Sequence, residues 1–403
     1  MKKIAIDGSW YDVTAFAIRH PGGSVIESYV GQDATHVFRE MHHRSTKATK
    51  VLQHLPKVDP PVFTEKQTDA AMLADFDAWR QSLVDRGFFD PSLLHVAYRL
   101  SELLAIFGLA TWCLGQGGVA WTTASVLLYG LFGGRCGWVQ HEAGHRSFTG
   151  CVPTDGHIQK ITMGLGTLTS ASMWNSMHNK HHATTQKIDH DVDLDTMPLV
   201  LFHEDAFQAN RGISKAWLRF QAWTFLPVTS GMFIMLFWIF YLHPRKIFRD
   251  RDLTQAFYTL SGHLGRTYLI HHMTGLSWLP SYGLLMASIY TTGIYLFGHF
   301  STSHTFMPVV ARDENPNWVS YSLEHTVDID TQNPWVSWWM GYLNCQCVHH
   351  LFPQMPQYRQ PEVSRELEVF AKKWDLPYVH MGYGAAWYAT FANMNRVGQL
   401  VGS

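Results

Sequence analysis

Three histidine clusters, each beside a strongly apolar stretch, constrain this chain more than any other feature. They read His141-Glu-Ala-Gly-His145, His178-Asn-Lys-His181-His182 and Gln346-Cys-Val-His349-His350. On a helix, residues three or four positions apart share one face about 5–6 Å apart, so each cluster directs its imidazoles toward one point. Seven histidines and a glutamine exceed the three or four protein ligands that one zinc ion takes. The pattern therefore predicts a centre of two metal ions, and two irons fit the ligand count best.

The first cluster also matches a different kind of site. His141 and His145 with Glu142 between them have the H-E-x-x-H spacing of zinc proteases, in which both histidines bind zinc and the glutamate is the general base. A membrane zinc protease would explain this cluster but neither of the others. For the second cluster, a His-rich polar loop is the plainer alternative, because the chain contains 24 histidines. The spacing of His178, His181 and His182 argues against chance.

The composition indicates a membrane protein. Of the 403 residues, 46% are hydrophobic and only 16% are charged, against about 25% charged in soluble domains. Apolar runs at about 95–115, 118–138, 220–242 and 279–300 each approach the roughly 20 residues that span a bilayer. The net charge of −1 comes without a basic arm, so we expect no nucleic-acid partner. We predict an α-helical integral membrane protein with about four transmembrane helices.

The order of the apolar runs predicts where the histidine clusters lie. No apolar stretch directly follows Met1-Lys2-Lys3, so the amino terminus is expected in the cytosol. Two helical hairpins then return the chain to the cytosol before His141 and again before His349. Basic residues between the second and third runs lie in the cytosol in this topology, as the positive-inside rule requires. The basic residues from Arg245 to Arg251 would lie on the opposite side of the membrane, against that rule. An alternative places them inside, with residues 253–279 as a further membrane segment and a re-entrant run around Pro227.

A second histidine pattern lies in the first 58 residues. His20-Pro-Gly-Gly23 is followed at an offset of 22 residues by His42, a combination that resembles cytochrome b5. The resemblance implies a small α+β domain in which His20 and His42 bind heme b from opposite sides, with the glycines close to the porphyrin. His43 is the alternative second ligand, and a solvated His-Pro turn is the plainer interpretation. After a linker at 59–61, an amphipathic helix from Thr64 to Arg86, ending at Gly87, is expected on the membrane surface.

Together, the amino-terminal module, the three clusters and Gln346 in place of a first histidine resemble the front-end fatty acyl desaturases, most of all the microalgal acyl-CoA Δ6 enzymes. Some stretches, such as 137–145, also resemble Δ5 enzymes. The resemblance implies three parts: 1–58 as the cytochrome b5-like domain, 59–90 as linker and amphipathic helix, and 91–403 as the desaturase domain with its clusters forming a cytosolic cap. The expected activity is O2-dependent formation of a cis double bond near the carboxyl end of a polyunsaturated acyl chain. Position 6 is favoured over position 5, and a sphingoid-base Δ8 desaturase is the alternative.

The resemblance also implies the site and the partners. The expected catalytic residues are His141, His145, His178, His181, His182, Gln346, His349 and His350, and all except Gln346 are expected ligands of two non-heme irons. His304 is expected as an eighth histidine ligand, because it follows the fourth apolar run and so lies on the same membrane face; a structural polar histidine is the alternative. Glu142, Asp189, Asp191 and Asp193 are candidates to orient metal-bound imidazoles. The substrate is expected as acyl-CoA or acyl-lipid, with Arg146, Lys180 or Lys187 on the phosphates of CoA. Electrons would come from NADH-cytochrome b5 reductase at the endoplasmic reticulum membrane, with a plastid membrane as the other possibility.

Overall fold

The computed structural model describes residues 1–61, 69–207, 215–312 and 314–402. The amino-terminal module begins with a hairpin whose turn, Asp7 and Gly8, has positive φ at both residues (48° and 70°), as a two-residue hairpin turn requires. Two short strands pair antiparallel on either side of this turn. The antiparallel sheet has the order β1-β2-β3. The elements are β1 Lys3–Ile6, β2 Ser9–Asp12, α1 Thr14–Ala17, a 3-10 helix Gly23–Tyr29, α2 Thr35–His42, α3 Thr46–His54 and β3 Lys57–Val58.

The amphipathic helix after the linker is α4, Ala70–Asp85. It ends as predicted before Gly87, which has a left-handed φ of 75°, whereas the predicted start at Thr64 lies outside the described residues. The expectation that this helix lies on the membrane surface was wrong. Its apolar residues, Phe76 among them, are buried in one core with the amino-terminal module and the carboxyl-terminal part of the chain. Phe76 stacks on Phe352 with ring centres 5.6 Å apart.

The rest of the chain is mostly helical. Its helices are α5 Leu93–Gly115, α6 Gly118–Gly144, α7 Val152–Thr162, α8 Ala171–Ala183, α9 Lys215–Arg219, α10 Gln221–Asp250, α11 Leu253–Thr274, α12 Trp278–Ser301, α13 Trp318–Glu324, α14 Pro334–Trp339, α15 Gln346–Leu351, α16 Gln360–Lys373 and α17 Tyr383–Gly402. The π-helical segments are 163–167, 225–234 and 238–242. Short 3-10 helices occur at 204–206 and 357–359. Two short strands, β4 Asp328–Ile329 and β5 His380–Met381, pair in parallel.

Two helices within the described residues, Leu93–Gly115 and Gln221–Asp250, are long and apolar enough to cross a membrane by length and composition. The sequence led us to expect four. The helices α6 and α12, which contain the other two apolar runs, have the necessary length but not the apolarity. Glycine, serine and threonine on their packed faces, such as Gly133 and Thr292, make them less apolar than helices that face lipid.

Helices α6 and α12 pack unusually closely. Gly130, Gly133 and Gly137 of α6 lie against α12, and a Cβ atom added at Gly133 would stand 2.3 Å from Oγ1 of Thr292. Small residues at such spacing let helix backbones approach each other within membranes. Since α6 ends in the first histidine cluster and α12 leads to His304, this contact sets the distance between two parts of the site.

The turn between α10 and α11 lies at the end of the bundle that carries the histidine clusters. Lys160 on α7 pairs with Asp252 at 2.7 Å, and the Ser170 N–H at the start of α8 donates to His243 (2.8 Å). At the other end of α10, Gln221 hydrogen-bonds the backbone of Leu201 in the loop after the second cluster. Both ends of α10 therefore lie beside segments that lead to or from the histidines. The basic residues 245–251 lie at the end of the bundle that carries the histidine clusters.

Candidate metal centre

The fold brings all eight predicted cluster histidines together. One group is formed by His141, His145, His178, His182 and His349, and a second by His181, His304 and His350; within each group the ligand nitrogens lie within 4.8 Å of one another. The residues come from the end of α6, from α8, from the segment after α12 and from α15. Seven of the eight are buried and His178 is partly buried. The two groups meet at α8, where His181 and His182 are adjacent.

The first group has the character of a cation site. Nε2 of His178 lies 2.9 Å from Nε2 of His145 and 3.0 Å from Nε2 of His182. Nitrogen lone pairs at this separation repel each other unless a proton or a metal ion lies between them. Moreover, Nε2 of His141 and both ring nitrogens of His349 are buried and have no hydrogen-bond partner among the residues that the structure describes, which is costly for polar atoms. A bound metal ion satisfies such atoms, so these residues fit a metal.

Gln346 lies in the second group, although it precedes His349 and His350 in the chain. Its side-chain amide nitrogen is 3.1 Å from Nε2 of His350 and 3.5 Å from Nδ1 of His304. Its oxygen Oε1 is buried and unpartnered. The amide oxygen can therefore act as a metal ligand in the second group, where the histidines offer only nitrogen ligands.

Carboxylates orient His181 from the side away from the cluster. Nδ1 of His181 contacts Oδ1 of Asp191 at 3.0 Å and Oδ2 of Asp193 at 3.4 Å. Burial alone lowers the pKa of His181, but these carboxylates outweigh burial and raise that pKa to about 9. Their negative charge stabilises a cation at this place and leaves Nε2 of His181 for a metal. Of the four carboxylates that the sequence offered for this purpose, Asp189 instead pairs with Arg312.

Two further contacts hold cluster imidazoles, and the sequence analysis missed both. The side-chain amide of Gln357 lies 2.9 Å from Nδ1 of His141, and Oγ1 of Thr185 lies 3.1 Å from Nδ1 of His350. Each contact fixes one ring nitrogen and leaves the other for a metal. Because Gln357 follows its partner by 216 residues, no local spacing could have revealed it.

Glu142 does not have the position that the protease alternative requires. Its carboxylate accepts hydrogen bonds from the backbone N–H of Gln357 at 3.0 Å and contacts Nε2 of His95 at 3.1 Å. Both oxygens are thereby engaged by residues that belong to neither histidine group. A general base must reach the reacting water, so the H-E-x-x-H spacing here does not form a protease site.

The amino-terminal module contains a second histidine site. The rings of His20 and His42 face each other with centres 6.3 Å apart, which fits a metal ion bound at about 2 Å from one nitrogen of each ring. Nδ1 of His42 lies 2.9 Å from the carbonyl oxygen of Phe38, and Nδ1 of His20 lies 3.3 Å from that of Gly23. His43 points elsewhere, since its Nδ1 lies 3.3 Å from the guanidinium of Arg80. The geometry therefore pairs His20 with His42.

An apolar cavity of about 550 Å3 runs from the clusters between α8, α10 and α12. Methionine, tryptophan, phenylalanine and leucine side chains dominate its lining, which reaches His178 of the first group and His304 of the second. Within the described part of the chain, the lining contains two aspartates, Asp193 and Asp195, and no lysine or arginine. Arg146 lines a different cavity, and Lys187 bonds to Glu314 and Asn315. The basic residues expected at CoA phosphates thus do not line the cavity next to the histidines.

Comparisons with known proteins agree with this architecture. Residues 3–59 match the family model of cytochrome b5-like heme/steroid binding domains, and residues 118–382 match that of fatty acid desaturases. An acyl-lipid (8-3)-desaturase of Thraustochytrium sp is 40% identical over 100% of this chain and 93% of its own length. One of Rebecca salina is 40% identical over 98% of this chain and 91% of its own. A Delta(6)-fatty-acid desaturase of Caenorhabditis elegans is 26% identical, covering 94% and 92%.

The fold and the two histidine sites define a class of protein: an oxidoreductase with a cytochrome b5-like domain joined to a helical domain that carries a histidine-rich metal centre. The chain belongs to the fatty acid desaturase family. It is a front-end fatty acyl desaturase of a membrane-bound family. Its cofactors are heme in the amino-terminal domain and two non-heme irons in the desaturase domain, and the histidine groups fit that metal content. Its substrates are fatty acyl lipids and O2.

Proposed function

We propose that this enzyme introduces a cis double bond at carbon 5 of a polyunsaturated acyl chain carried by a lipid, with carbon 6 as the alternative position. The identities support this choice. The two relatives at 40% identity are both named acyl-lipid (8-3)-desaturases, a name that we interpret as a new bond three carbons on the carboxyl side of a Δ8 bond. The Delta(6) enzyme is 26% identical. The sequence motifs favoured position 6, so the experiment below compares both positions directly.

A lipid carrier is our choice over CoA for a structural reason. CoA brings several phosphate charges, which arginine and lysine usually bind. Among the described residues, the lining of the cavity beside the histidines includes two aspartates and neither lysine nor arginine. An acyl chain attached to a neutral or zwitterionic headgroup meets less repulsion there.

The proposed ligand sets follow the two groups. His141, His145, His178, His182 and His349 hold one iron, and His181, His304 and His350 hold the other, with Gln346 beside the second. The observation that carries this assignment is the convergence of the ring nitrogens, which lie within 4.8 Å of one another in each group. When bound, the irons supply the activation of O2 that abstraction of hydrogen from unactivated methylenes requires.

The protein's own residues then fix which methylenes react. The acyl chain lies in the cavity of about 550 Å3, whose lining includes His178 and His304 from the two groups, so the segment between them is closest to both. Apolar walls exclude water from this segment, and the rigid helices hold it in place. Asp191, Gln357 and Thr185 contact the Nδ1 atoms of His181, His141 and His350 and hold these imidazoles in one orientation.

The proposed topology has four crossings, formed by α5, α6, α11 and α12, with α10 entering and leaving on the cytosolic side. The contacts Lys160–Asp252 and Ser170–His243 support it, because they place the α10–α11 turn at the histidine end of the bundle. The basic residues 245–251 are then cytosolic, in agreement with the positive-inside rule. The domain limits 1–58, 59–90 and 91–403 and the endoplasmic reticulum membrane belong to the same proposal, as does electron supply by NADH-cytochrome b5 reductase.

The test is product analysis in yeast that expresses the chain and is fed C18 and C20 polyunsaturated acids, one of them with a first double bond at carbon 8. Gas chromatography with double-bond location should detect a new bond at carbon 5. His349→Ala should yield none, and His157→Ala, which alters an exposed histidine outside the clusters, should retain it. A bond at carbon 6 alone would overturn the position, and products confined to sphingoid bases would overturn the substrate class.

A further inference from the structure

A second cavity crosses the boundary between the two domains. Its volume is about 1100 Å3, at the upper end of the roughly 300–1,000 Å3 of small-molecule sites. On one side it is lined by His20 and His42, and on the other by His145, Arg146 and Asn179. His145 belongs to the five-histidine group, so one continuous space leads from the heme-binding pair to the back of the metal centre.

The boundary around this cavity is held by specific hydrogen bonds. The hydroxyl of Tyr29 donates to the carbonyl oxygen of Ala183 at 2.9 Å. The side chain of Gln354 accepts from the Arg44 N–H at 2.9 Å and donates to the carbonyl oxygen of Met41 at 2.7 Å. The open side of the amino-terminal module thus faces α8 in a defined orientation, and the desaturase domain forms one wall of the cavity.

Two guanidinium groups at this wall, those of Arg146 and Arg44, lie near one buried carboxylate, that of Asp155, but neither hydrogen-bonds to it among the described residues. Arg146 makes one hydrogen bond, to the carbonyl oxygen of Ala143 at 3.2 Å, and Arg44 donates to the carbonyl oxygen of Phe89. Neither forms an ion pair within the described part of the chain. Half-buried cations are stabilised by anions, and the heme periphery carries two propionate carboxylates.

The backbone at Arg146 supports a functional reason for this residue. Arg146 follows the last turn of α6 with a left-handed φ of 63°, where glycine is the usual residue. An arginine there is conformationally unfavourable, and strained positions of this kind concentrate at functional sites.

We propose that the heme is held by both domains, with Arg146, assisted by Arg44, binding propionate carboxylates across the boundary. Arg146 is then a heme-positioning residue supplied by the desaturase domain. The inference rests on the proposed function only in taking heme as the electron donor to the iron centre, and it concerns binding of heme rather than the position of the double bond.

The experiment uses the full-length, heme-loaded enzyme in detergent. Heme loss is followed by transfer to excess apomyoglobin, and the heme midpoint potential is measured by spectroelectrochemical titration. For Arg146→Gln we expect heme loss to accelerate about tenfold, as for a lost charge-assisted hydrogen bond. The potential should become more negative, because a nearby cation disfavours ferric heme. Arg146→Lys should recover part of both changes.

Two further variants keep the test decisive. Arg146→Gly removes the charge and suits the left-handed backbone, so fast heme loss in this variant cannot be attributed to a misfolded helix end. Lys180→Gln removes a cation that does not line the cavity and should leave both measurements at wild-type values. Wild-type heme loss and potential in Arg146→Gln and Arg146→Gly would overturn the proposal. A wild-type chain that binds heme but forms no new double bond would contradict the proposed function and leave this result standing.

Discussion

The two histidine sites of this enzyme are built in different ways. The heme pair, His20 and His42, is only partly buried, and each ring has one backbone contact. The eight cluster histidines lie on helix ends deep in the molecule, and several are fixed by side chains from distant parts of the chain. A porphyrin brings four of the iron ligands with it, whereas bare iron ions depend entirely on the protein. The metal centre therefore needs the more rigid surroundings.

This difference predicts separate loss of the two cofactors. Replacing His349, whose two ring nitrogens are buried without a partner, by alanine should reduce desaturation by more than about 100-fold, since loss of an orienting residue alone costs 10–100-fold. Iron content should fall, while the heme absorption spectrum stays that of wild type. Metal analysis and optical spectra of the same preparation check this. Loss of heme together with iron would mean that the two sites fold as one unit.

The reverse variant tests the other site. His20→Ala should lose heme and retain iron, because His20 contacts residues of its own module. Activity should fall to background even when free cytochrome b5 is supplied, since a tethered donor acts at a much higher effective concentration. Gln53→Ala, which changes an exposed residue of the same module outside the cavity of the histidine pair, is the control. Full rescue by free cytochrome b5 would show that the fused domain is dispensable.

A smaller effect is expected from the residues that orient the cluster. Asp191→Asn keeps the shape of the side chain but removes the charge that faces Nδ1 of His181, so iron binding should weaken about 10–100-fold. The measurement is iron retention against a chelator. Asp189→Asn is the matched control, because Asp189 pairs with the exposed Arg312. Equal retention in both variants would assign Asp191 to folding alone.

The smallest effect concerns the domain boundary. Tyr29→Phe removes the hydrogen bond to the carbonyl oxygen of Ala183, a loss of about 1 kcal/mol. Electron transfer from reduced heme to the iron centre should slow by a few-fold, as followed by heme reoxidation with substrate present. Tyr388→Phe changes an exposed tyrosine and should have no effect. An unchanged rate in Tyr29→Phe would mean that docking is set by the other boundary contacts, including the hydrogen bonds of Gln354.

The sequence predicted the parts of the site that helical spacing encodes. His141 and His145, or His178 and His182, are one turn apart, so any helix places them on one face. His304 was expected near the clusters because it follows an apolar run. The contacts of Gln357 and Thr185 could not be predicted, because they depend on how distant segments meet. The pairing of Asp191 rather than Asp189 with His181 depends on the path of a loop that has no periodic pattern.

The fold, like the site, was predictable where local sequence patterns decide it and not where distant segments meet. Apolar runs located the long helices, but hydropathy reports only that a helix avoids water and does not say what covers it. For that reason α4 was predicted at the membrane surface, although its apolar face packs on Phe352. The choice of the segments that cross the membrane was likewise left open, since the contacts of His243 and Gln221 at the two ends of α10 are tertiary.

The glycine contact between α6 and α12 has a consequence for how the enzyme responds to its surroundings. Backbones that touch at Gly130 and Gly133 cannot slide past each other without a steric clash, so stretching or thinning of the bilayer acts on the pair as a unit. The histidines at the ends of these helices then keep their mutual distances in thick and thin membranes alike. The position of the new double bond should accordingly be independent of growth temperature, even as the lipids that the enzyme modifies change the thickness of the membrane around it.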